Sequence, residues 1–201
     1  MKSIKNETEV VKREIYRLLL IAKKSILSIG VGDTNFLCIA MADRKKTLFC
    51  IKVFETSLEK FNLIKELINI NNWENSFFLS RNTKDTISFT EYDVIRVEYA
   101  YIKTFLSDFM GNSLIESKPL IFIEDYISQF EDSDFSRLQS FLKENDYAIL
   151  AISLDFTVVN VDNFVPESPF FIVAVDNHSK WQLIKKINIL RKEMFFHFLR
   201  S

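Results

Sequence analysis

Apolar residues recur along the chain in two alternating patterns, one with helical spacing and one in short continuous runs. Helical spacing marks residues 8–24, 35–46, 58–70, the C-terminal half of 92–110, and 132–145. Short apolar runs at residues 25–29, 48–54, 76–79, 120–123 and 147–154 each predict a strand. This alternation predicts an α/β fold with a mostly parallel central sheet and helices on both faces.

The C-terminal part of the chain has a different pattern. Residues 170–175 and 181–190 predict the two arms of a β-hairpin. The apolar segment 194–199 is expected to dock on the core of the protein or on a partner. We find no linker or repeat, so we expect a single domain made of an N-terminal helix (1–24) and a core with a C-terminal hairpin and an apolar tail (25–201).

The composition is typical of a folded protein with little net charge. The 201 residues are 48% hydrophobic and 26% charged, and the formal net charge is −1. Cys38 and Cys50 are too few for a disulfide framework and favour thiols in a reducing compartment. The sequence shows no signal-peptide core and no apolar run long enough for a bilayer. We therefore expect an intracellular protein, located in the nucleus if the source is eukaryotic.

Two of the three glycines lie in one short segment, Gly30-Val31-Gly32-Asp33-Thr34, directly after the first predicted strand. In a phosphate-binding loop, backbone N–H groups and a lysine surround the phosphates, and a hydroxyl holds magnesium. Here Asp33 replaces the lysine, and a carboxylate ~4 Å from a phosphate repels it by about 1 kcal/mol in water. The segment predicts either a vestigial nucleotide site that has lost ATP or a tight turn without a ligand.

Together with acids after later strands, this segment resembles the RecA-like ATPase core, and the resemblance extends from about residue 25 to residue 190. Glu55 matches the family's water-orienting glutamate, and Glu124 with Asp125 is similar to its Walker B acid. The resemblance implies a RecA-like three-layer domain in which Gly30, Gly32, Asp33, Thr34, Glu55, Glu124 and Asp125 are vestigial nucleotide-binding residues. In the alternative interpretation, the three acids are solvated strand ends.

Loss of the lysine implies a non-catalytic protein without a cofactor, similar to the recombinase paralogues of Shu-type complexes. The implied function is a scaffold for homologous recombination DNA repair, with a related RecA-like subunit and a recombinase as partners. Basic C-terminal residues predict contacts with single-stranded or forked DNA, and an aromatic side chain predicts base stacking. These residues are Lys180, Trp181, Lys185, Lys186, Arg191 and Lys192. A solvated hairpin with a basic tail is the alternative.

Other functional classes stay open from the sequence. An Elongator-type RecA-like subunit in tRNA modification is the second hypothesis. The third is an enzyme: a residual ATPase, or a PD-(D/E)xK-like nuclease using Asp33 and Lys52, although Cys50 stands where that nuclease needs a carboxylate. His178 and His197 have no Cys or acid at ligand spacing, so we expect no zinc site.

Overall fold

The computed structural model describes residues 2–20, 24–31, 36, 38, 40, 50–82, 92–109, 117–124, 132–161 and 170–198. The chain divides into two compact units. We call residues 22–124 the central unit, and residues 1–21 with 125–201 the terminal unit.

The described part of the central unit contains five parallel strands. They are β1 (Ser25–Ile29), β2 (Cys50–Phe54), β3 (Phe77–Ser80), β4 (Val94–Glu98) and β5 (Leu120–Glu124). Their order across the sheet is β3-β2-β1-β4-β5. After β1 the chain builds outward to one side through β2 and β3, and then returns to the other side of β1 for β4 and β5. The strand order therefore reverses between β1 and β4, and open sheets of this kind bind ligands outside the carboxyl ends of the strands at that point.

Helical segments follow β2 and β4. Helix α2 (Leu58–Asn71) begins at Ser57, whose side chain accepts a hydrogen bond from the backbone of Lys60, and ends at Asn72 in the left-handed conformation. Its buried side chains, Ile64 and Ile68, lie one turn apart. After β4, a mixed helical segment consists of a 3-10 turn (Tyr99–Tyr101), an α-helical turn (Ile102–Thr104) and a π-helical turn (Phe105–Phe109).

An aspartate just before β4 aligns the starts of the two strands at the switch point. The carboxylate of Asp93 accepts hydrogen bonds from the backbone N–H groups of Lys24 (2.7 Å) and Ser25 (3.1 Å). The backbone N–H of Asp93 in turn donates to the carbonyl of Ser25. Because β1 and β4 start in register, their carboxyl ends also lie side by side.

The terminal unit combines helices with antiparallel strands. Its elements are α1 (Lys2–Leu20), α3 (Asp132–Glu144), β6 (Tyr147–Ser153), β7 (Val158–Asn160), β8 (Phe170–Asp176) and α4 (Lys180–Phe198). Strand β6 pairs with β7 and with β8, in both cases antiparallel. The buried Tyr16 of α1 packs edge-on against Phe171 of β8, with ring centroids 6.4 Å apart.

The α/β class with a mostly parallel sheet is confirmed, and each strand predicted between residues 25 and 154 is present, with small changes at its ends. The predicted C-terminal hairpin is wrong, because its second arm lies inside helix α4. Three isoleucines, Ile184, Ile187 and Ile189, gave this segment the β-branched character of a strand. Helical spacing explains the burial better, since Leu183 and Ile187 are buried one turn apart.

In the described part of the chain, no helix has the length and apolarity needed to cross a membrane.

Candidate functional site

Several polar residues meet at the carboxyl ends of the parallel strands. Gly30 follows β1, Glu55 follows β2, and Glu98 and Glu124 end β4 and β5. Strand register places them at one edge, because Ile29 pairs with both Phe54 and Val97, and Glu98 pairs with Glu124. The structure thus brings together three residues that the sequence singled out as candidates: Gly30, Glu55 and Glu124.

Gly30 forms a turn that only glycine accommodates. Its φ is +78°, and its N–H donates to the carbonyl of Phe54 at 2.8 Å. A Cβ atom at this position would lie 2.5 Å from Cδ2 of Tyr101 and 2.6 Å from Oε2 of Glu98. Both the left-handed backbone and the close approach of two side chains therefore require glycine.

Glu55 is a fully buried carboxylate (0% exposed) with three hydrogen-bond donors. Its Oε2 accepts from the backbone N–H of Val31 at 3.1 Å, and its Oε1 accepts from the backbone N–H of Ser57 at 2.8 Å. The hydroxyl of Tyr101 also donates to Oε1. Because a buried carboxylate is costly without partners, these donors explain how Glu55 is retained.

Tyr101 connects the glycine turn to the carboxylate. Its ring packs edge-on against Phe54 with centroids 6.2 Å apart, and its hydroxyl lies 3.0 Å from Oγ1 of Thr56. Partial burial, followed by the hydrogen bond to Glu55, raises the pKa of Tyr101 above its usual value. Tyr101 therefore stays protonated at neutral pH, as a donor to Glu55 must.

A salt bridge lies beside this group. Nζ of Lys60, in the first turn of α2, is 2.9 Å from Oε1 of Glu98. Burial alone would lower the pKa of Lys60, but the hydrogen bond and charge of Glu98, with smaller contributions from Glu55 and Tyr101, raise it. The lysine is therefore charged and neutralises Glu98.

An arginine that the sequence analysis missed lies beneath the glycine turn. Arg96 of β4 is 0% exposed, and its Nη1 donates to the carbonyl of Gly30 (2.9 Å) and to Oγ of Ser28 (3.1 Å). Its Nη2 forms an ion pair with Glu124, and the guanidinium lies 5.0 Å from the ring centroid of Phe36. Two features of the sequence could have predicted this buried arginine. It is a single charge in the apolar run Val94–Val97, and an acid ends the next strand. Glu124 is thus the partner of a buried cation rather than a solvated strand end.

Comparison with known proteins identifies the fold. No protein-family model and no curated protein matches the sequence. Among solved structures, the chain is similar to the methyltransferase domain of bacterial CtHen1, with 16% identity and a TM-score of 0.55 over 85% of this chain and 98% of that one. The chain shares the α/β fold of that domain.

Two further structures have the same fold. Precorrin-6y C5,15-methyltransferase from Geobacter metallireducens matches with a TM-score of 0.52 and 10% identity, over 81% of this chain and 86% of that one. A SAM-dependent O-methyltransferase from Thermotoga maritima matches with a TM-score of 0.51 and 12% identity, over 82% of this chain and 64% of that one.

These neighbours correct the predicted identity. These solved structures are methyltransferases and not RecA-like ATPases, so the interpretation of the glycine segment as a degenerate Walker A loop is wrong. The recombination scaffold, the Elongator-type subunit, the residual ATPase and the nuclease are overturned by the same finding. The prediction that the protein is not an enzyme and has no cofactor is contradicted as well, because the structures similar to this chain include a SAM-dependent O-methyltransferase.

The remaining predicted site residues fall into two groups. Gly32, Asp33, Thr34 and Asp125 lie outside the described residues. The predicted DNA-binding residues all lie on α4 in the terminal unit; Lys180 is half-buried, and Trp181, Lys185, Lys186, Arg191 and Lys192 are exposed. Among the described residues, no cluster of His, Cys, Asp or Glu has the geometry of a metal site.

Proposed function

We propose that this chain is a methyltransferase that binds S-adenosylmethionine at the carboxyl ends of β1, β2 and β4. The observation that carries the proposal is the buried carboxylate of Glu55, placed after β2 and beside the turn at Gly30. In nucleotide-binding sheets of this strand order, an acid at that position accepts hydrogen bonds from ribose hydroxyls, and the glycine turn allows the nucleotide to approach the backbone.

The donors around Glu55 support a nucleoside ligand. A carboxylate has about four lone-pair positions, and the structure uses three. Two of the donors are the backbone N–H groups of Val31 and Ser57, which hold the carboxylate in place. The third is the side chain of Tyr101, which a ribose hydroxyl replaces without leaving the carboxylate unpaired. The residues around Glu55 therefore fit a nucleoside, provided that the hydrogen bond between Tyr101 and Glu55 breaks when the nucleoside binds.

The charges at the site also suit a cationic cofactor. Arg96 is neutralised by Glu124 and Lys60 by Glu98, whereas the bonds to Glu55 come from neutral donors. The site thus keeps a negative charge, which attracts a cation in a partly buried environment. When bound, S-adenosylmethionine supplies an electrophilic methyl group on a positively charged sulfur. The chain binds the nucleoside through Glu55, and the nucleoside approaches the turn at Gly30 once the side chain of Tyr101 has moved.

Calorimetric titration with S-adenosylhomocysteine tests the proposal. We expect the native chain to bind and Glu55→Gln to bind at least about tenfold more weakly, because hydrogen bonds to a charged group contribute ~1.5–3 kcal/mol. Glu59→Gln is the matched control: it makes the same charge change at an exposed position in the first turn of α2 and leaves affinity unchanged. Absence of binding by the native chain would overturn the proposal.

Transfer itself is measured with methyl-labelled S-adenosylmethionine and fractionated cell extract. Label should pass to an acceptor with the native chain and fall sharply with Glu55→Gln. If the native chain binds the cofactor and labels nothing in any fraction, the methyltransferase part of the proposal is wrong.

A further inference from the structure

Helix α4 has a buried side and an exposed side of different chemistry. Leu183 (8% exposed) and Ile187 (1% exposed) are buried on one side of the helix. On the opposite side, exposed residues recur at intervals of four, three and four positions, which places them on one helix face. We call this row the Trp–Lys stripe: Trp181, Lys185, Asn188 and Lys192.

The lysines of the Trp–Lys stripe lie on a different face of α4 from its acidic residue. The helix contains five Lys or Arg residues and one acid, Glu193. Glu193 is turned about 100° from its neighbour Lys192 and so lies off the stripe. Arg191 also lies off the stripe, 3.6 Å from Asp155. The stripe therefore presents two lysines and no carboxylate.

Trp181 is unusual because its large aromatic side chain is exposed to solvent. It is 71% exposed, and its described ring contact is with Lys180, whose Nζ lies 5.7 Å from the ring centroid. An exposed indole flanked by cations presents a flat surface for stacking next to positive charge. Unpaired bases on a phosphate backbone have the complementary chemistry.

We propose that the Trp–Lys stripe binds single-stranded nucleic acid, with Trp181 stacking on an unpaired base and with Lys185 and Lys192 contacting phosphates. The stripe extends about 16 Å along the helix axis, enough for a short segment of strand. Stacking requires an unpaired base, so a single strand fits better than a duplex. This inference does not depend on the proposed methyltransferase activity.

A membrane surface is the competing partner for a helix with Trp and Lys. Helices that lie on membranes insert a wide apolar face between the lipids. In α4 the apolar face is not available to lipid, because Leu183 and Ile187 are buried within the protein. The exposed part of α4 offers one indole and Ile189 among several cations, which is a smaller apolar surface than lipid insertion needs and favours a polyanionic strand.

The test is fluorescence anisotropy of labelled oligo(dT) and oligo(U) with the full chain, titrated at several salt concentrations. Lys185→Glu should weaken binding at least about tenfold and reduce the slope of log affinity against log salt by roughly 0.7 for the lost phosphate contact. Lys186→Glu is the matched control, since it makes the same charge change at an adjacent exposed residue off the stripe. It should weaken binding much less.

Stacking is tested separately at Trp181. Trp181→Ala should weaken binding at least about fivefold, whereas Trp181→Phe should retain most of the affinity. A stronger response to oligo(U) than to oligo(dT) would identify RNA as the strand, and the reverse would identify DNA. Equal losses from Lys185→Glu and Lys186→Glu, no binding at low salt, or equal binding to duplex or to anionic lipid vesicles would overturn the proposal.

Discussion

The hydroxyl of Tyr101 donates a hydrogen bond to the carboxylate of Glu55, while the ring of Tyr101 covers the turn at Gly30. The side chain therefore occupies the space over the two groups that a bound nucleoside needs most. Glu55 is held from behind by backbone N–H groups, so its orientation does not depend on the tyrosine. Binding of the cofactor thus requires Tyr101 to move.

Replacing Tyr101 by phenylalanine should strengthen binding of S-adenosylhomocysteine by about tenfold, because the ligand no longer displaces a hydrogen bond to a charged group. Calorimetry measures the change. Tyr147→Phe serves as the control, since it removes a buried tyrosine hydroxyl from the terminal unit and should leave affinity unchanged. Weaker binding by Tyr101→Phe would show that the hydroxyl contacts the ligand instead of competing with it.

The same tyrosine makes stability sensitive to alkaline pH. Burial, and then the hydrogen bond to Glu55, raise the pKa of Tyr101 above the usual value of about 10. A group whose pKa is raised on folding contributes stability that is present below its unfolded pKa and is lost as pH rises through its folded pKa. Urea unfolding measured as pH rises above about 10 should therefore show a steeper loss for the native chain than for Tyr101→Phe. Parallel curves would contradict the assignment.

Alanine at position 30 should destabilise the central unit by about 2 kcal/mol or more, because a left-handed residue gains a Cβ that clashes with Tyr101 and Glu98. Urea unfolding measures the loss. A cycle with Tyr101→Ala separates the two causes: removing the ring relieves one clash, so the double variant should lose less than the sum of the single variants. Full additivity would assign the cost to the backbone and to the contact with Glu98.

The buried pair of Arg96 and Glu124 gives another prediction. Arg96→Met leaves the carboxylate of Glu124 buried without its cation, which should cost about 3–5 kcal/mol of unfolding free energy. Adding Glu124→Leu removes the stranded charge, so the double variant should be more stable than Arg96→Met alone. Chemical denaturation measures the free energy of unfolding of both variants. A double variant that is less stable than Arg96→Met would show that Glu124 keeps other essential partners.

The sequence predicted β1, β2, β3, β5, β6 and β8 because each is a short local run of apolar residues, and it predicted Gly30 and Glu55 because both follow strands directly. It did not predict β7, or β4, which precedes the helical spacing in residues 92–110. It misassigned the fold because a glycine turn after β1 and an acid after β2 suit more than one nucleotide-binding architecture. The distinguishing feature is strand order, which depends on pairings between distant residues. Tyr101 and Arg96 were missed for the same reason, since their partners are as many as 68 residues away in the sequence.

The most direct evidence for a nucleoside at Glu55 would come from changing the ligand and the protein together. We compare S-adenosylhomocysteine with its 2′-deoxy analogue on the native chain and on Glu55→Gln. The native chain should lose about tenfold in affinity for the deoxy analogue, because a hydrogen bond to a buried carboxylate is lost, and Glu55→Gln should discriminate much less. The ratio of affinities is measured within each protein, so partial unfolding of Glu55→Gln cancels. An equal ratio in both proteins would show that Glu55 does not contact the 2′-hydroxyl.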